Sequence, residues 1–292
     1  MRKIIYAVIS IFIIMLFLAG KNIWTENLII RLDADNGKQE MPKNFRKFSD
    51  LKMSGSAQFS RNELQLLSTE LATNKNITII DLRQESHGFI DGEAVSWYGK
   101  RNWANFDKNL PAVLADEKKR LDDLQKKGKV SIAKTIIKGP DGEICESNLA
   151  AYPVKQSETE EQISNKIGFT YIRIPVTDHC APNDETVDKF INFVHDLQAD
   201  QWLHFHCEAG KGRTTTFMAM YDIMKNAKID SLSAILKRQA DAGGEDLNAT
   251  KHGWQSIYLN ERKNFIKNFY EYCRINNDNY ATTWSTWHNS KM

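Results

Sequence analysis

The sequence predicts an α/β fold in which a parallel or mixed central sheet is flanked by helices. Short apolar, β-branched runs alternate with amphipathic stretches along the later part of the chain, as expected for strands joined by crossover helices. A glycine-rich loop directly follows one of these runs at residues 207–213, and open α/β sheets bind ligands at the carboxyl ends of their strands. The chain has 292 residues, of which 41% are hydrophobic, so it can form a sizeable core.

The first elements follow from local patterns. Residues 25–50 lack clear periodicity and predict a linker and an irregular arm. Ser60 and Glu63 have the spacing of a capping box, which predicts the start of a helix. The run NITIIDL then predicts a strand that ends at Asp81, followed by a long loop to about Asn105.

The character of the chain changes over residues 106–165. A strongly charged segment precedes β-like runs and a GPDG turn, which predicts a small inserted β-rich subdomain between two core segments, 25–105 and 166–292. The α/β pattern then resumes with the strand GFTYIRIPV, a helix over about 185–199, the strand QWLHF, the glycine-rich loop, and helices over about 214–226, 231–242 and 261–275.

The N-terminus has the pattern of an export segment. A basic start is followed by an uncharged run from Ile4 to Gly20 and then by Lys21. This run is long for the core of a signal peptide and short for a membrane span, so residues 1–24 predict either a cleaved signal peptide or a membrane anchor. In either case the protein is expected to be exported, as a secreted, periplasmic or outer-face membrane-anchored protein.

Charge and cysteine content exclude several classes of protein. Thirty-nine Lys and Arg side chains balance 37 Asp and Glu, so nothing indicates a nucleic-acid partner, and affinity for acidic ligands must come from local clustering. Four cysteines in a chain of this length do not form a disulfide scaffold. The composition therefore favours a localised site over a charged surface, and it leaves the oligomeric state open.

The stretch HCEAGKGRTT carries the strongest chemical signal. Five residues separate Cys207 from Arg213, and a helix is predicted to begin directly after them. Gly210 and Gly212 let the backbone turn its N–H groups inward around a tetrahedral anion at the helix N-terminus. Arg213 adds bidentate hydrogen bonds to phosphate oxygens, and the same donors favour a thiolate at Cys207. We call residues 207–213 the phosphate loop.

Other interpretations of Cys207 are less well supported by the pattern. A zinc cluster with His204, His206, His179 and Cys180 has no usual ligand spacing. A Walker loop is excluded because GKGRT lacks the G-x4-G-K-[ST] pattern. A rhodanese-like sulfur carrier lacks the Arg-Thr ending, and a packed thiol explains neither the glycines nor the arginine.

Transfer of a phosphoryl group through a cysteine also requires a general acid. Asp178 lies on the proline-bounded loop PVTDHCAP after a predicted strand. We expect it to protonate the leaving oxygen and then, as a carboxylate, to activate the hydrolytic water. Thr214 is expected to donate its hydroxyl to the sulfur of Cys207 and help it leave in the second step. The alternative role for Asp178, a helix cap, suits Asn183 or Asp184 better.

These motifs resemble those of the protein tyrosine phosphatase superfamily, and most of all the bacterial phytases built on that fold. The stretches that carry the resemblance are HCEAGKGRTT, VTDH-x2-P, IIDLRQESHGF, VSWYGKRNWAN, NFRKFSDL and SGSAQFS. The likeness extends from about Asn44 to the C-terminus. It implies a phosphatase core with an inserted partial β-barrel, and a shallow basic pocket that removes phosphates from myo-inositol hexakisphosphate and lower inositol phosphates without a metal or other cofactor.

The resemblance also implies roles for individual residues. Cys207 matches the nucleophile, Arg213 the phosphate clamp and Asp178 the acid. The phosphate-binding positions of the loop are Glu208, Ala209, Gly210, Lys211 and Gly212. His179 and Arg46 match substrate contacts, and Lys267 on the late helix is a further predicted contact.

Two positions depart from the family pattern. Lys211 stands where an apolar residue can occur, and Asn183 stands where a basic contact can occur. A lysine in the loop adds charge beside a second phosphate, and the same AGKGR run occurs in phosphatases of inositol lipids. Lys211 is therefore expected to offset the loss at Asn183, the alternative being a solvated loop lysine.

Nearby residues have predicted supporting roles. Asp81 and Arg83 are expected to brace the phosphate loop, whereas Glu85 and His87 either brace it or contact substrate. Cys180 suggests a regulatory hypothesis, a reversible disulfide with the nucleophile that protects it from over-oxidation.

Two alternative functions stay open. The first is a protein tyrosine or phosphoinositide phosphatase on the same scaffold. The second is a non-catalytic inositol-phosphate binding protein, which would require a missing catalytic group.

Overall fold

The structure, a computed structural model, describes residues 28–72, 76–250 and 252–291. The predicted export segment at residues 1–24 lies outside these ranges. Within them, no helix combines the length and the apolar character that crossing a membrane requires.

Strands and helices alternate as the sequence predicts in the later part of the chain. The strands are β1 Ile29–Ala34, β2 Arg46–Phe48, β3 Met53–Ser56, β4 Asn76–Arg83, β5 His87–Ile90, β6 Glu93–Tyr98, β7 Lys129–Lys138, β8 Ile144–Pro153, β9 Ser157–Glu158, β10 Thr170–Val176 and β11 Gln201–His206. The α-helices are α1 Arg61–Glu70, α2 Leu110–Lys127, α3 Glu160–Ile167, α4 Asp184–His195, α5 Gly212–Asn226, α6 Leu232–Asp241, α7 Ser256–Ile275 and α8 Trp284–Asn289.

The core sheet has five strands in the order β10-β4-β11-β3-β2, and all but β2 run parallel. The central strand β11 is buried from Trp202 to His206, which fits a short apolar run in the middle of a covered sheet. Its carboxyl end leads directly into the phosphate loop, which in turn leads into α5. The predicted α/β class is confirmed by this arrangement.

Helix α5 is buried against the core sheet. Every residue from Arg213 to Ile223 is buried, because the helix lies between β3 and α7 rather than at the surface. A side chain at Gly55 on β3 would collide with Met218 and Thr214, so the close approach of strand and helix requires glycine there. This packing holds the N-terminus of α5 rigidly beneath the phosphate loop.

A second sheet of six strands has the order β8-β7-β1-β6-β5-β9. Its strands come from residues 29–34, 87–98 and 129–158, so the predicted insert at 106–165 supplies only part of it. The division of the chain at residues 106 and 165 stays a prediction.

Two predictions about irregular segments are wrong. The supposed arm over 25–50 contains β1 and β2, and the supposed loop before Asn105 contains the β5–β6 hairpin. The hairpin turns at Asp91 and Gly92, which have φ of 52° and 95°, so an Asp-Gly turn signal was present in the sequence. Strand β1 left no such signal, because its partners β6 and β7 lie far away along the chain.

Buried charges join the two sheets. The side chain of Arg83, fully buried at the end of β4, bonds to Asp33 at 2.8 Å and to Glu85 at 2.9 Å. Asp33 on β1 also accepts from Arg31 at 2.8 Å. Burial would raise the pKa of Asp33, but the two guanidinium groups lower it, so this carboxylate stays charged.

We predict that Asp33→Ala lowers the free energy of unfolding by about 3–5 kcal/mol, because it leaves two buried guanidinium groups short of a carboxylate. Urea unfolding measures the change. Asp35→Ala, two residues along the chain and exposed, is the control and should change the free energy by less than about 1 kcal/mol. Equal effects of the two substitutions would contradict the role assigned to Asp33.

Candidate active site

The phosphate loop is held in shape by hydrogen bonds to its outward-facing carbonyl groups. Asn44 donates to the carbonyl of Ala209 at 2.8 Å, and the backbone N–H of Gln58 donates to that of Glu208 at 3.1 Å. Arg46 donates to the carbonyl of Gly210 at 2.8 Å. Because the C=O and N–H of a planar trans peptide point in opposite directions, these bonds turn the following N–H groups toward the interior of the loop.

Gly210 is required for this shape. Its φ is +67°, and a side chain there would collide with the backbone of Ser56 and Ala57. The loop therefore passes directly over the end of β3, where only glycine fits.

The nucleophile candidate lies where an anion is stabilised. Cys207 follows β11, is 3% exposed, and accepts a hydrogen bond from the hydroxyl of Thr214 at 3.1 Å. The Thr214 contact is the one expected from the sequence. Both residues lie at the N-terminus of α5, where the helix dipole favours a negative charge.

Arg213 is fixed by a fully buried carboxylate. Its two terminal nitrogens bond to the two oxygens of Glu85 at 2.7 and 3.0 Å, and one of them also donates to the carbonyl of Val176 at 3.1 Å. Its buried Nε bonds to none of the described residues and is the donor left for a bound anion. Burial would lower the pKa of Arg213, but the carboxylates of Asp178 and Glu85 raise it well above its ordinary value.

Asp178, the candidate acid, is held between Arg213 and Asn102. Asp178 Oδ1 lies 3.3 Å from Arg213, and its Oδ2 accepts from Asn102 at 3.1 Å. Trp103 donates from its indole to the carbonyl of Asp178 at 2.9 Å. Burial would raise the pKa of Asp178, but Arg213 and then His179 lower it to about 2. Without an anion in the loop, Asp178 is thus an ion-paired carboxylate.

A cavity of about 500 Å³ lies above the loop. Its basic and imidazole side chains are Lys138, Lys211, Arg213, Arg262, His179 and His252. Its carboxylates are Asp178, Glu208 and Glu245, and Tyr98 and Trp254 contribute aromatic rings. The cavity thus takes residues from the second sheet, from the loops that follow β10 and β11 of the core sheet, and from α7 and the segment before it.

The structure places most predicted site residues at this cavity. His179, with φ of 69°, faces it and packs edge-on against Trp254 with 5.0 Å between ring centroids. Lys211 also lines it, although its ammonium group donates to the carbonyl of Gly243 at 2.7 Å.

Two predicted substrate contacts lie elsewhere. Arg46 is buried behind the loop, where it bonds to Gly210 and to Thr215, so it braces the loop and does not line the cavity. Lys267 is exposed on α7, whereas Arg262 lines the cavity. Five residues along an α-helix amount to about 140° of rotation, so these two side chains leave the helix in different directions.

Two of the residues with predicted supporting roles, His87 and Cys180, do not line the cavity above the loop. His87 is 1% exposed and lies within 3.3 Å of both Asp81 and Glu160, so it belongs to the buried support and not to a substrate surface. Cys180 lines a separate cavity, together with Thr177 and Pro182. The disulfide with Cys207 stays a hypothesis.

The metal-binding alternative finds no support in the described part of the chain. The ring nitrogens of His204 lie 2.9 and 3.1 Å from the hydroxyls of Ser54 and Ser56. Across residues 28–72, 76–250 and 252–291, no group of three or more His, Cys, Asp or Glu side chains is arranged to hold a metal ion.

Sequence reasoning missed several residues of the site. Asn102 and Trp103 hold the acid, and Arg262 and Glu245 form part of the cavity wall. The position of Asn102 depends on a short 3₁₀ turn in which it adopts a left-handed φ of 65°, a conformation that asparagine tolerates. No local sequence pattern indicated which loop of the chain would contact Asp178.

Several known proteins are similar to this chain in sequence and fold. The model of the PTP-like phytase family (inositol hexakisphosphate) matches residues 80–225. The tandemly repeated protein tyrosine phosphatase like phytase from Mitsuokella multacida is 37% identical with a TM-score of 0.82, over 89% of this chain and 49% of that chain. The PTP-like myo-inositol phosphatase from the same organism, in complex with myo-inositol-(1,3,4,5)-tetrakisphosphate, is 35% identical with a TM-score of 0.82, over 94% and 52%.

Two further relatives differ in how much of their length is matched. A PTP-like phytase from Bdellovibrio bacteriovorus is 36% identical with a TM-score of 0.74, over 91% of this chain and 96% of that chain. The effector protein hopD2 of Pseudomonas syringae pv. tomato is 31% identical over 82% of this chain and 52% of that protein. The chain therefore spans about half the length of hopD2 and of the Mitsuokella chains.

We predict that an anion in the loop raises the pKa of Asp178 from about 2, because the anion offsets the charge of Arg213 while burial persists. Binding that raises a pKa takes up protons, so sulfate should bind more tightly as the pH falls from 7 to 4. Sulfate suits the test because it stays a dianion over this range. Calorimetry on the Cys207→Ser protein measures the affinity at each pH.

The matched control adds Asp178→Asn, which keeps the shape of the side chain and removes its titration. This protein should lose most of the pH dependence of sulfate binding. The same dependence in both proteins would show that another group takes up the proton.

Proposed function

The chain belongs to the PTP-like phytase family, and we propose that it is a cysteine-dependent phosphatase that hydrolyses phosphomonoesters of myo-inositol hexakisphosphate and lower inositol phosphates. The observation that carries this proposal is the position of Arg213. Its two terminal nitrogens are held by Glu85, and its Nε is left to donate to an anion in the phosphate loop, which begins at Cys207 directly after β11.

The first chemical step follows from this geometry. The thiolate of Cys207 attacks phosphorus while the loop N–H groups and Arg213 stabilise the charge on the equatorial oxygens. The P–O bond to the inositol oxygen breaks, and Asp178 transfers its proton to that oxygen. The products of the step are a phosphocysteine and an inositol with one phosphate fewer.

The second step uses the same residues in reverse. Asp178, now a carboxylate, takes a proton from water as the water attacks the phosphocysteine. The hydroxyl of Thr214, 3.1 Å from the sulfur, stabilises the thiolate as it leaves. Asn102 holds one oxygen of Asp178 throughout, which keeps the carboxylate directed at the loop.

Asp178 can act as an acid only after substrate binds. Its pKa of about 2 without an anion depends on the full positive charge of Arg213. A phosphate dianion on the loop shares that charge, and the burial of Asp178 then favours its protonated form. Binding of the substrate phosphate therefore protonates Asp178, which then donates that proton as the phosphate ester is cleaved.

The cavity favours an inositol phosphate over a flat phosphotyrosine. At about 500 Å³ it is wide enough for a substituted ring, and cationic side chains lie around the loop instead of a narrow aromatic slot. Lys138 reaches it from the tip of the β7–β8 hairpin, and Arg262 reaches it from α7. Cations that come from separate elements around one cavity suit a ligand that carries several phosphates.

We predict that the full chain, with EDTA present, releases phosphate from phytate faster than from a phosphotyrosine peptide. The catalytic control is Cys207→Ser, which should lower the rate by at least about 10³-fold because the nucleophile is lost. Phosphate release measured side by side on the two substrates tests this.

Each result has a distinct meaning. A preference for the peptide would place the activity among the tyrosine phosphatases. Activity that survives Cys207→Ser would contradict the phosphocysteine route, and no release from either substrate would favour a binding protein without catalysis.

A further inference from the structure

The loop between β7 and β8 contacts the short 3₁₀ turn that holds the candidate acid. We call residues 139–143, which form this loop, the hairpin tip. The carbonyl of Gly142 accepts from the backbone N–H of Arg101 at 2.8 Å, and the carbonyl of Asp141 accepts from the Nε of Arg101 at 3.0 Å. The guanidinium of Arg101 also lies over the ring of Trp254, 4.5 Å from its centroid. The hairpin tip thus holds both the backbone and the side chain of Arg101.

The backbone of the 3₁₀ turn needs such support. Arg101 and Asn102 have consecutive left-handed φ angles of 59° and 65°. Asparagine tolerates this conformation, but arginine rarely adopts it because its Cβ approaches the following carbonyl oxygen. Hydrogen bonds from the hairpin tip therefore stabilise a turn that the intrinsic preference of Arg101 opposes.

Asn102 connects this turn to the reacting groups. Its buried amide nitrogen donates to Glu85 Oε1 at 3.0 Å and to Asp178 Oδ2 at 3.1 Å. Asn102 thus links the candidate acid to the carboxylate that fixes Arg213. A shift of the turn would change the position of Asp178 relative to the phosphate loop.

The hairpin tip fits tightly against the turn. Gly142 has a φ of +78°, and a side chain there would come within 3.0 Å of the side chains of Arg101 and Trp254. Gly128, at the other end of β7, has a φ of +68°, and a side chain there would meet nothing within 4 Å. The two glycines have similar backbone conformations, but of the two only Gly142 contacts the support of the acid.

We propose that the hairpin tip is a positioning element for the general acid. The carbonyl groups of Gly142 and Asp141 hold Arg101, and the turn then lets Asn102 direct Asp178 at the leaving oxygen. The proposal rests on the proposed function and gives the second sheet a role in proton transfer. A misplaced acid slows the departure of a basic leaving group, whereas a leaving group that is stable as an anion needs little protonation.

The test is Gly142→Ala, with kcat/KM measured for phenyl phosphate and for 2,4-dinitrophenyl phosphate. The added methyl group must displace Arg101 or Trp254, so the value for phenyl phosphate should fall by roughly 5- to 30-fold. The value for 2,4-dinitrophenyl phosphate should change by less than about threefold, because its leaving group is stable as an anion. Each substrate has one ring and one phosphate, so steric obstruction or partial unfolding would lower both values alike.

The matched control is Gly128→Ala, which introduces the same kind of left-handed strain at the base of the same hairpin. It should leave both values of kcat/KM within about twofold of those of the unmodified protein. A second comparison uses Asp178→Asn, which removes the acid. Adding Gly142→Ala to it should change the ratio of the two values by less than about twofold, because the position of an absent acid has no effect.

Three results would overturn the proposal. The first is an unchanged ratio in Gly142→Ala, and the second is an equal change in Gly128→Ala. The third is a further change of the ratio when Gly142→Ala is added to Asp178→Asn, because the hairpin tip would then act through another group. Failure of the proposed function is distinguishable: if the unmodified protein releases phosphate from neither ester, both proposals are wrong.

Discussion

The pair between Glu85 and Arg213 is the contact on which the rest of the site depends. Both side chains are buried, and removing one partner of such a pair leaves an uncompensated charge at a cost of about 3–5 kcal/mol. The pair continues into a series of alternating charges that returns to the loop: Arg213, Glu85, Arg83, Asp33, Arg31 and Glu208. Because the series begins and ends on the phosphate loop, the loop and the clamp cannot shift independently. Burying so many charges is poor for stability, and its benefit is a guanidinium held in one plane.

This series explains why two sheets are needed for one site. The core sheet supplies the strand before the nucleophile, and the second sheet supplies Asp33 and Arg31 through its central strand β1. The second sheet also contributes to the cavity wall, with Tyr98 on β6 and Lys138 at the end of β7. The floor of the cavity, which is the phosphate loop with Arg213, is thus held by buried ion pairs. The walls bring together segments that are distant in sequence. Under the proposed function, the floor carries the catalytic residues and the walls contact the rest of the substrate.

The residues of the floor were predicted from the sequence, whereas several residues around it were not. The loop, its arginine and Thr214 are local to a single strand-loop-helix unit, so spacing and residue type were sufficient. Asn102, Arg262 and Glu245 reach the site through the register of distant strands and the rotation of a late helix, which no local pattern contains. Arg46 was expected at the substrate because it lies in a motif, but its side chain packs behind the loop. The β5–β6 hairpin was predictable from its Asp-Gly turn, whereas β1 was not.

The most direct test of this account replaces Glu85 by Gln, which preserves the shape of the side chain and removes the charge opposite Arg213. The measurement is kcat on phytate and on p-nitrophenyl phosphate, for protein whose circular dichroism spectrum matches the unmodified chain. If the buried pair fixes the clamp, kcat falls by at least about 100-fold on both substrates, as expected when a preorganised donor to the transition state is lost. A kcat within about threefold of the unmodified protein would contradict the account, because Arg213 would then hold its position without the pair.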